Sequence, residues 1–267
     1  MKQIDKETKE KRSKVYYSKA RIKPAYIFLI VPIFVGLAMG FNEFLETKMW
    51  GKALVYVLSL GAISSALFFL LRLVLRDISL VYPGKILFCD RLKPTTSMLY
   101  ADDDVFTEEN KTAIRKKIKS KKGIDLQSFK HKTYKNKKYV KRVDEAVNWL
   151  LDVTRFDDIL FDYNCIYGFY RNLTAAIFMD GIVLFALAAI NRWGMSLPLG
   201  RFFLWGGITC VMVSFFTTWF AYTNGRRYAK RLYNVFLNLD DDKNNYLKIK
   251  LWNILSSITL LAMQIAR

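Results

Sequence analysis

Residues 202–222 read FFLWGGITCVMVSFFTTWFAY and hold no charged side chain in 21 positions. At a rise of about 1.5 Å per residue, a helix of that length reaches about 32 Å, close to the roughly 30 Å hydrocarbon core of a bilayer. Three other runs, 25–41, 53–71 and 173–190, are nearly as long and hold one acid between them. The sequence therefore predicts an all-α membrane protein with four transmembrane helices.

Lysine and arginine are distributed unevenly around these four runs. Residues 1–24 carry nine, 42–52 two, 72–172 twenty-one, 191–201 two, and everything after residue 222 eight. Basic residues concentrate on the cytoplasmic side of membrane proteins. We therefore expect both termini and the central segment in the cytoplasm, and the chain in the cell (inner) membrane.

This topology gives two transmembrane hairpins, 25–71 and 173–222, on either side of a basic, mainly helical cytosolic insert, 72–172. A basic cytosolic segment, 1–24, precedes the first hairpin, and a cytosolic C-terminal region, 223–267, follows the second. Residues 251–266 lack charge but would reach only about 24 Å as a helix. Their polar side chains fall on one side, which predicts an amphipathic helix, with a fifth crossing as the alternative.

Residues that favour turns and helix ends divide the insert into shorter elements. Pro83-Gly84 lies between two short apolar stretches and permits a small β-hairpin over 78–88. Thr107 is placed to cap a helix that Gly123 would end. Helical spacing of apolar residues predicts a second, longer helix from about 135 to 160. The aromatic stretch 163–170 then reads as an interfacial belt, with Gly168 as a bend.

The most basic stretch is 111–142, where 14 Lys or Arg meet a single acid, Asp125. Aromatic residues are interleaved with them, as in a groove that binds nucleotides or single-stranded nucleic acid. A surface that docks on anionic lipid, a topology signal or a protein-binding surface needs the same charge. The candidate anion-binding residues are Lys116, Lys117, Lys119, Lys121, Lys122, Lys130, His131, Lys132, Tyr134, Lys137, Lys138, Lys141 and Arg142.

Asp180 is the one acid inside an apolar run, and it falls near the middle of 173–190. A charged carboxylate there costs several kcal/mol unless it is wetted or paired. One interpretation is a water-lined path for ions or protons, with Asn191 on the same helical face. The other is a protonated, structural Asp180 that hydrogen-bonds a neighbour such as Ser64 or Thr217.

The motifs of common enzymes and metal sites are missing. The chain has one histidine, His131, and three widely spaced cysteines, which excludes two-histidine metal motifs and zinc knuckles. It has no phosphate-binding GxxxxGK[ST], no GxGxxG and no GxSxG. The acidic runs 102–104 and 240–242 lack the glycine and the final acid of a calcium loop. The sequence predicts no catalytic residue, no metal and no cofactor, hence no enzyme.

The stretch Tyr16-Tyr-Ser-Lys-Ala-Arg-Ile-Lys23 runs into the first apolar run, and the spans are paired over 25–71 and 173–222. In this organisation the whole chain resembles the small multi-pass membrane effectors of bacterial nucleotide-signalling and anti-phage defence systems. No diagnostic motif accompanies the likeness, and no residue role follows from it.

The resemblance and the charge pattern together favour an oligomeric membrane channel or pore-type effector whose basic domain senses an anionic ligand. Four helices enclose little space, so a conducting form would be a homo-oligomer in the lipid bilayer, with a nucleotide or single-stranded nucleic acid as its ligand. The alternative is a structural or adaptor membrane protein that docks on anionic lipid or a soluble partner. A proton-coupled carrier built around Asp180 fits four helices less well.

Overall fold

The structure, a computed structural model, is helical, and no strand occurs in the part of the chain that it describes. The described residues are 2–47, 50–51, 54–55, 58–59, 62, 66, 68, 74, 77–85, 93–127, 136–195 and 200–265.

Six helices of fifteen residues or more organise these segments, joined by π-helical turns over Ser18–Ile22 and Asn191–Met195 and by a four-residue helix, Pro94–Ser97. The six are α1 (Lys2–Tyr17), α2 (Lys23–Thr47), α3 (Glu108–Lys122), α4 (Lys137–Val153), α5 (Asp158–Ile190) and α6 (Gly200–Ile265).

Three helical stretches are long and apolar enough to cross a membrane: Glu7–Leu37, Asp158–Trp193 and Gly200–Leu239. They contain the predicted runs 173–190 and 202–222 and most of 25–41. The predicted run 53–71 lies largely outside the described residues, and those described within it are helical. The all-helical fold is thus confirmed, and the described residues contain three helices that could cross a membrane by their length and composition.

The surface of α6 supports a lipid environment for these helices. Trp205, Phe216 and Trp219 are 65%, 64% and 61% exposed. Soluble proteins rarely leave so many large apolar side chains facing water. The hydrocarbon core of a bilayer would solvate these apolar side chains favourably.

The chain divides into two compact units. Unit 1 comprises Met1–Pro94 and Asp162–Tyr228, and unit 2 comprises Thr95–Phe161 and Ala229–Arg267. Each unit combines two segments that are distant in sequence. Long α6 contributes its first part to unit 1 and its later part to unit 2.

A proline shapes the junction between α1 and α2 in unit 1. In an α-helix the Ala20 carbonyl would accept a hydrogen bond from residue 24, but Pro24 has no N–H and its ring crowds that carbonyl. The chain here forms the π-helical turn Ser18–Ile22, closed by the Lys23 N–H bonding to the first carbonyl of the turn. The Ala20 carbonyl instead accepts a hydrogen bond at 2.5 Å from Nδ2 of Asn172. A side chain of α5 thereby holds the start of α2.

Gly168 lies where α5 packs against Tyr16 and Ala20 of the N-terminal segment. A Cβ at this position would lie 2.7 Å from the Tyr16 hydroxyl and 3.0 Å from the Ala20 Cβ, which is too close. Gly168 was predicted to bend the chain, but it lies inside the uninterrupted helix α5. Its role is close packing, because only the absence of a side chain permits this contact.

α2 and α5 run in the same direction, since their contacts advance together along both helices. Ala20 bonds to Asn172, and fifteen residues later Val35 shares a buried cluster with Leu184. α5 and α6 run in opposite directions.

The evidence for the α5–α6 direction is a reversed order of contacts. The Tyr170 ring stacks on Phe220 at 5.5 Å, whereas Asn191, near the other end, packs against Gly200. Between them, a Cβ at Gly181 would meet that of Cys210 at 3.3 Å.

Two ring contacts tie the described parts of 50–68 to α2. Phe44 and Trp50 lie 4.1 Å apart between ring centroids, and Tyr26 and Phe68 lie 4.9 Å apart. The order of the partners is reversed between the two pairs.

The predicted β-hairpin over 78–88 is wrong for its first arm. Residues 77–79 are helical, and the helical turn Leu80–Lys85 is broken only at Tyr82 (φ −126°, ψ 118°). The residue before a proline avoids helical geometry, and Tyr82 precedes Pro83. Its ring stacks on Phe178 at 4.0 Å and its hydroxyl lies 3.0 Å from Oγ of Ser214. The second arm, apart from Lys85, lies outside the described residues.

The helix predicted between Thr107 and Gly123 is confirmed as α3. The Thr107 side chain accepts from the Asn110 N–H, and Gly123 adopts φ 76°, the left-handed conformation that ends helices.

The helix predicted over 135–160 is interrupted. α4 ends at Val153, where Thr154 is the C-cap, and Asp157 begins α5 by accepting the Leu160 N–H through Oδ1 at 2.6 Å. Asp157 therefore acts as an N-cap, and the residues predicted to form one helix belong to two, α4 and α5.

The C-terminal stretch predicted as a separate helix over 251–266 is continuous with α6, which runs unbroken to Ile265. Its amphipathic character and its relation to the membrane stay predictions.

Candidate functional site

The basic stretch belongs to unit 2, whose core includes buried residues of three helices. Ile114 and Ile118 of α3, Val143 and Leu150 of α4, and four residues of α6 are buried. The residues from α6 are Ala229, Leu232, Tyr233 and Phe236. They recur at positions i, i+3, i+4 and i+7, which is the buried stripe of a helix and a signal visible in the sequence.

Two of the basic residues are buried in this core. Lys111 is 1% exposed, and its Nζ donates to the carbonyls of Tyr100 (2.8 Å) and Asp103 (2.5 Å). Arg115 is also 1% exposed and donates from Nη2 to the Leu99 carbonyl at 2.8 Å. Both cations therefore hold the loop that precedes α3 in place through these hydrogen bonds.

Glu108 supplies the countercharge for both. Its carboxylate lies 3.3 Å from Lys111 Nζ and 3.4 Å from Arg115 Nη1. Partial burial favours the protonated acid, but the hydrogen bonds and charges of the two cations outweigh it and lower the pKa of Glu108. The acid is thus ionised at neutral pH and balances part of the buried charge.

The described aromatic residue of this stretch is not available for stacking on a base. Tyr139 is fully buried, its ring meets Tyr100 edge-on at 5.5 Å, and its hydroxyl donates to the Leu99 carbonyl at 2.8 Å. Burial raises the pKa of Tyr139, so the hydroxyl keeps its proton and acts as a donor.

Structural partners are described in detail for Lys117, Lys119 and Arg142 among the predicted anion-binding residues. Lys117 Nζ donates to the Leu237 carbonyl at 2.6 Å and lies 5.3 Å above the Phe236 ring. Lys119 pairs with Asp125 at 2.9 Å, and Arg142 Nη1 donates to the carbonyl of the same residue at 3.4 Å.

The other predicted residues fall into two groups. Lys130, His131, Lys132 and Tyr134 lie outside the described residues. The exposed ones are Lys116, Lys121, Lys122, Lys137, Lys138 and Lys141.

The exposed lysines follow from helical geometry. Lys137 and Lys141 are one turn apart and lie opposite the buried stripe of α4 that Tyr139 begins, and Lys116 lies opposite the buried stripe of α3. Lysines in the last turn of α3 also interact favourably with the negative end of the helix dipole. Unit 2 thus presents ammonium groups from two helices on surfaces that its core does not use.

Asp180 is buried in unit 1, at 2% exposure. Its Oδ1 has no hydrogen-bond partner in the described part of the chain. The suggested partner Thr217 instead donates to two carbonyls of its own helix, those of Val213 (3.3 Å) and Ser214 (3.1 Å). The other suggested partner, Ser64, lies outside the described residues. Within the described residues, one oxygen of this buried carboxyl is therefore left without a partner.

Asn191 does not join Asp180 in one site. Eleven residues of helix separate them, which corresponds to about 16 Å. The Asn191 side chain packs against Gly200, where a Cβ would fall 1.9 Å from Nδ2. Because Gly200 has no Cβ, it makes room for the Asn191 side chain where α5 stops and α6 starts.

Over the described residues, no three His, Cys, Asp or Glu side chains converge as metal ligands. No protein-family model matches the chain, and comparison with curated proteins and with solved structures finds no match either.

Proposed function

We propose that this protein is an oligomeric membrane channel or pore-type effector, with four transmembrane helices in two hairpins, whose basic cytosolic domain senses an anionic nucleotide or nucleic acid. A role in anti-phage defence is part of this proposal and rests on the organisation of the chain.

The direction of the helices supports the fourth span. α2 and α5 run in parallel, so two helices that both cross the bilayer leave it on the same side. The chain between them must then cross back an odd number of times. Between 42 and 157, residues 53–71 are the one uncharged run of sufficient length. The contacts of Phe44 with Trp50 and of Tyr26 with Phe68 fit that return.

Labelling tests this topology. In a cysteine-free background, single cysteines placed in 42–52 and 191–201 should react with an impermeant maleimide added from outside. Cysteines placed in 111–142 should react only after the membrane is opened. External reactivity within 111–142 would contradict the orientation.

The observation that carries anion sensing is the surface of unit 2. Lys137, Lys138 and Lys141 are exposed within five residues of α4, and the acids near them, Asp144 and Glu145, follow on the next turn. Phosphate groups bind such surfaces with an affinity that falls steeply with salt, because bound counterions are released.

One observation favours the adaptor alternative, in which the same lysines dock on anionic lipid. Binding to single strands usually combines charge with aromatic rings, and Tyr139 is buried. Lipid headgroups need charge alone. The test must therefore compare both ligands on the same protein.

The test uses the full-length protein in detergent and fluorescein-labelled oligonucleotides, with binding followed by anisotropy across a salt series. Replacing Lys137, Lys138 and Lys141 by Glu should weaken binding and reduce the slope of log affinity against log salt by about 2, since each phosphate contact contributes about 0.7 for single strands.

The matched control makes the same change of charge on α1. Replacing the exposed Lys9, Lys11 and Lys14 by Glu should leave the slope unchanged. If no oligonucleotide binds at low salt while anionic liposomes do, the adaptor function is favoured and nucleic-acid sensing is refuted.

Asp180 supports the channel part. Asp180 is a buried acid inside a candidate span, with one oxygen that has no partner among the described residues, and such acids often line ion and proton paths. A single chain offers few helices for a pore, so the proposal requires several copies. Mass measurement of the purified protein should give a whole-number multiple of the monomer mass, and a monomer would contradict the channel.

A further inference from the structure

Unit 1 contains a pocket of about 530 Å³ between its N-terminal segment and the beginning of α5. It does not include Asp180 and none of the lysines of unit 2 contributes to it. The pocket is lined by Lys19, Lys23, Asp162, Cys165, Ile166, Phe169 and Tyr170.

The lining combines an apolar wall with a charged rim. Ile166, Phe169 and Tyr170 follow one another along α5 and supply the wall, with Ile166 42% exposed. Lys19 and Lys23 supply the cations. An apolar wall beside fixed cations suits a molecule with a hydrocarbon portion and an anionic head.

The charge of the rim is close to +1. Lys19 lies 3.3 Å from Asp162, and that ion pair cancels one positive charge. Lys23 is exposed, and it is the remaining formal charge of the lining. A ligand that carries one negative charge complements this rim, whereas a zwitterion would leave it unbalanced.

The position of the pocket identifies the source of such a ligand. Lys23 stands two residues before the apolar run 25–41, and Tyr170 stands three residues before 173–190. Because α2 and α5 run in parallel, both helices reach the hydrocarbon boundary beside the pocket. Phospholipid headgroups occupy that depth, and lysines at helix ends commonly face them.

We infer that this pocket binds one anionic glycerophospholipid, whose phosphate lies between Lys19 and Lys23 and whose acyl chains follow Ile166 and Phe169. The assignment of the lipid to the cytoplasmic leaflet rests on the proposed topology. The site itself does not depend on channel activity or on the ligand of unit 2.

The probe is phosphatidylglycerol, with phosphatidylcholine as the zwitterionic comparison. Full-length protein in detergent is offered both lipids in equal amounts, and the retained lipid is counted by native mass spectrometry. The wild type should retain phosphatidylglycerol preferentially. Lys23→Glu should reduce the preference roughly tenfold, since loss of one lysine near an anionic headgroup accounts for about a factor of five and the introduced carboxylate repels the phosphate.

Lys9→Glu is the matched control, because it makes the same charge change at an exposed position of α1 outside the pocket. It should leave the preference intact, and the uncharged Lys23→Gln should give a smaller loss than Lys23→Glu. Both Lys23 variants should elute like the wild type on size exclusion, as expected for an exposed side chain.

Two further readouts locate the lipid. A photoreactive phosphatidylglycerol with a diazirine in its acyl chain should label peptides that contain 162–170. Soluble glycerophosphoglycerol, which has the head but no hydrocarbon, should not compete.

The inference is overturned by any of three results: an unchanged preference in Lys23→Glu, equal losses in Lys23→Glu and Lys9→Glu, or efficient competition by the soluble head. Oligonucleotide binding through unit 2 should be unaffected by Lys23→Glu. Failure of one proposal is therefore distinguishable from failure of the other.

Discussion

Substitution of Lys111 should be among the most destabilising changes in unit 2, although the chain contains many lysines. Its ammonium group is 1% exposed and donates to the carbonyls of Tyr100 and Asp103. Lys111→Met keeps an unbranched side chain of similar volume, so little cavity is created and the main loss is that of the donor.

The magnitude follows from the two carbonyls. A hydrogen bond to a charged group contributes about 1.5–3 kcal/mol, and a buried acceptor left without a partner costs about 1–3 kcal/mol. Burial of the methionine offsets part of this loss. We expect a local destabilisation of about 3 kcal/mol, which is roughly a hundredfold in an opening equilibrium.

Hydrogen exchange measured by mass spectrometry on the full-length protein in detergent detects this change locally. Amides in 98–107 should exchange roughly a hundredfold faster in Lys111→Met, because they open with the loop that the ammonium group holds. Lys116→Met is the matched control, since Lys116 lies on the exposed side of the same helix. Equal exchange in the two variants would refute the assigned role of Lys111.

Three other predictions concern single side chains. Asn172→Leu should lower the free energy of unfolding of the detergent-solubilised protein by about 1–3 kcal/mol, because the Ala20 carbonyl loses its donor; an unchanged unfolding midpoint would contradict this. Asp180→Asn should alter conductance or ion selectivity in reconstituted bilayers while the oligomer still forms, and normal currents would argue against a path at Asp180. Because the pKa of Glu108 is lowered in the fold, its contribution to stability is complete above its ordinary pKa of 4.5 and is lost as pH falls through the lowered value. Unfolding midpoints across an acid series should therefore decline less steeply for Glu108→Gln.

Much of the architecture could be predicted because it depends on local properties. Uncharged length identifies membrane-spanning helices whatever they pack against, and it located 173–190 and 202–222. The capping pair Thr107 and Gly123 likewise acts within one turn of its own helix. Such features are decided by neighbours in sequence.

What sequence reasoning missed depends on contacts between distant segments. Asp157 divides the predicted helix 135–160, although the apolar period continues through it. The stripe from Ala229 to Phe236 was visible as a helical period, but its packing in the core of unit 2 requires a partner far away in the chain. Tyr82 was assigned to a cytosolic hairpin, whereas its ring lies on Phe178.

The roles of individual lysines and arginines in 111–142 could not be predicted for the same reason. The number of lysines and arginines in 111–142 can be read from composition, but the role of each one depends on the fold. Lys111 and Arg115 hold the loop before α3 through buried hydrogen bonds, and Lys117 binds a carbonyl of α6. Reversing the charge of such residues would disturb unit 2 itself, and a loss of ligand binding would then say nothing about a binding surface. Lys137 and Lys141 face away from the core, so their reversal changes the electrostatic potential while leaving the packing in place. A charge-reversal experiment on this protein is thus interpretable only when it is confined to the lysines that the core does not use.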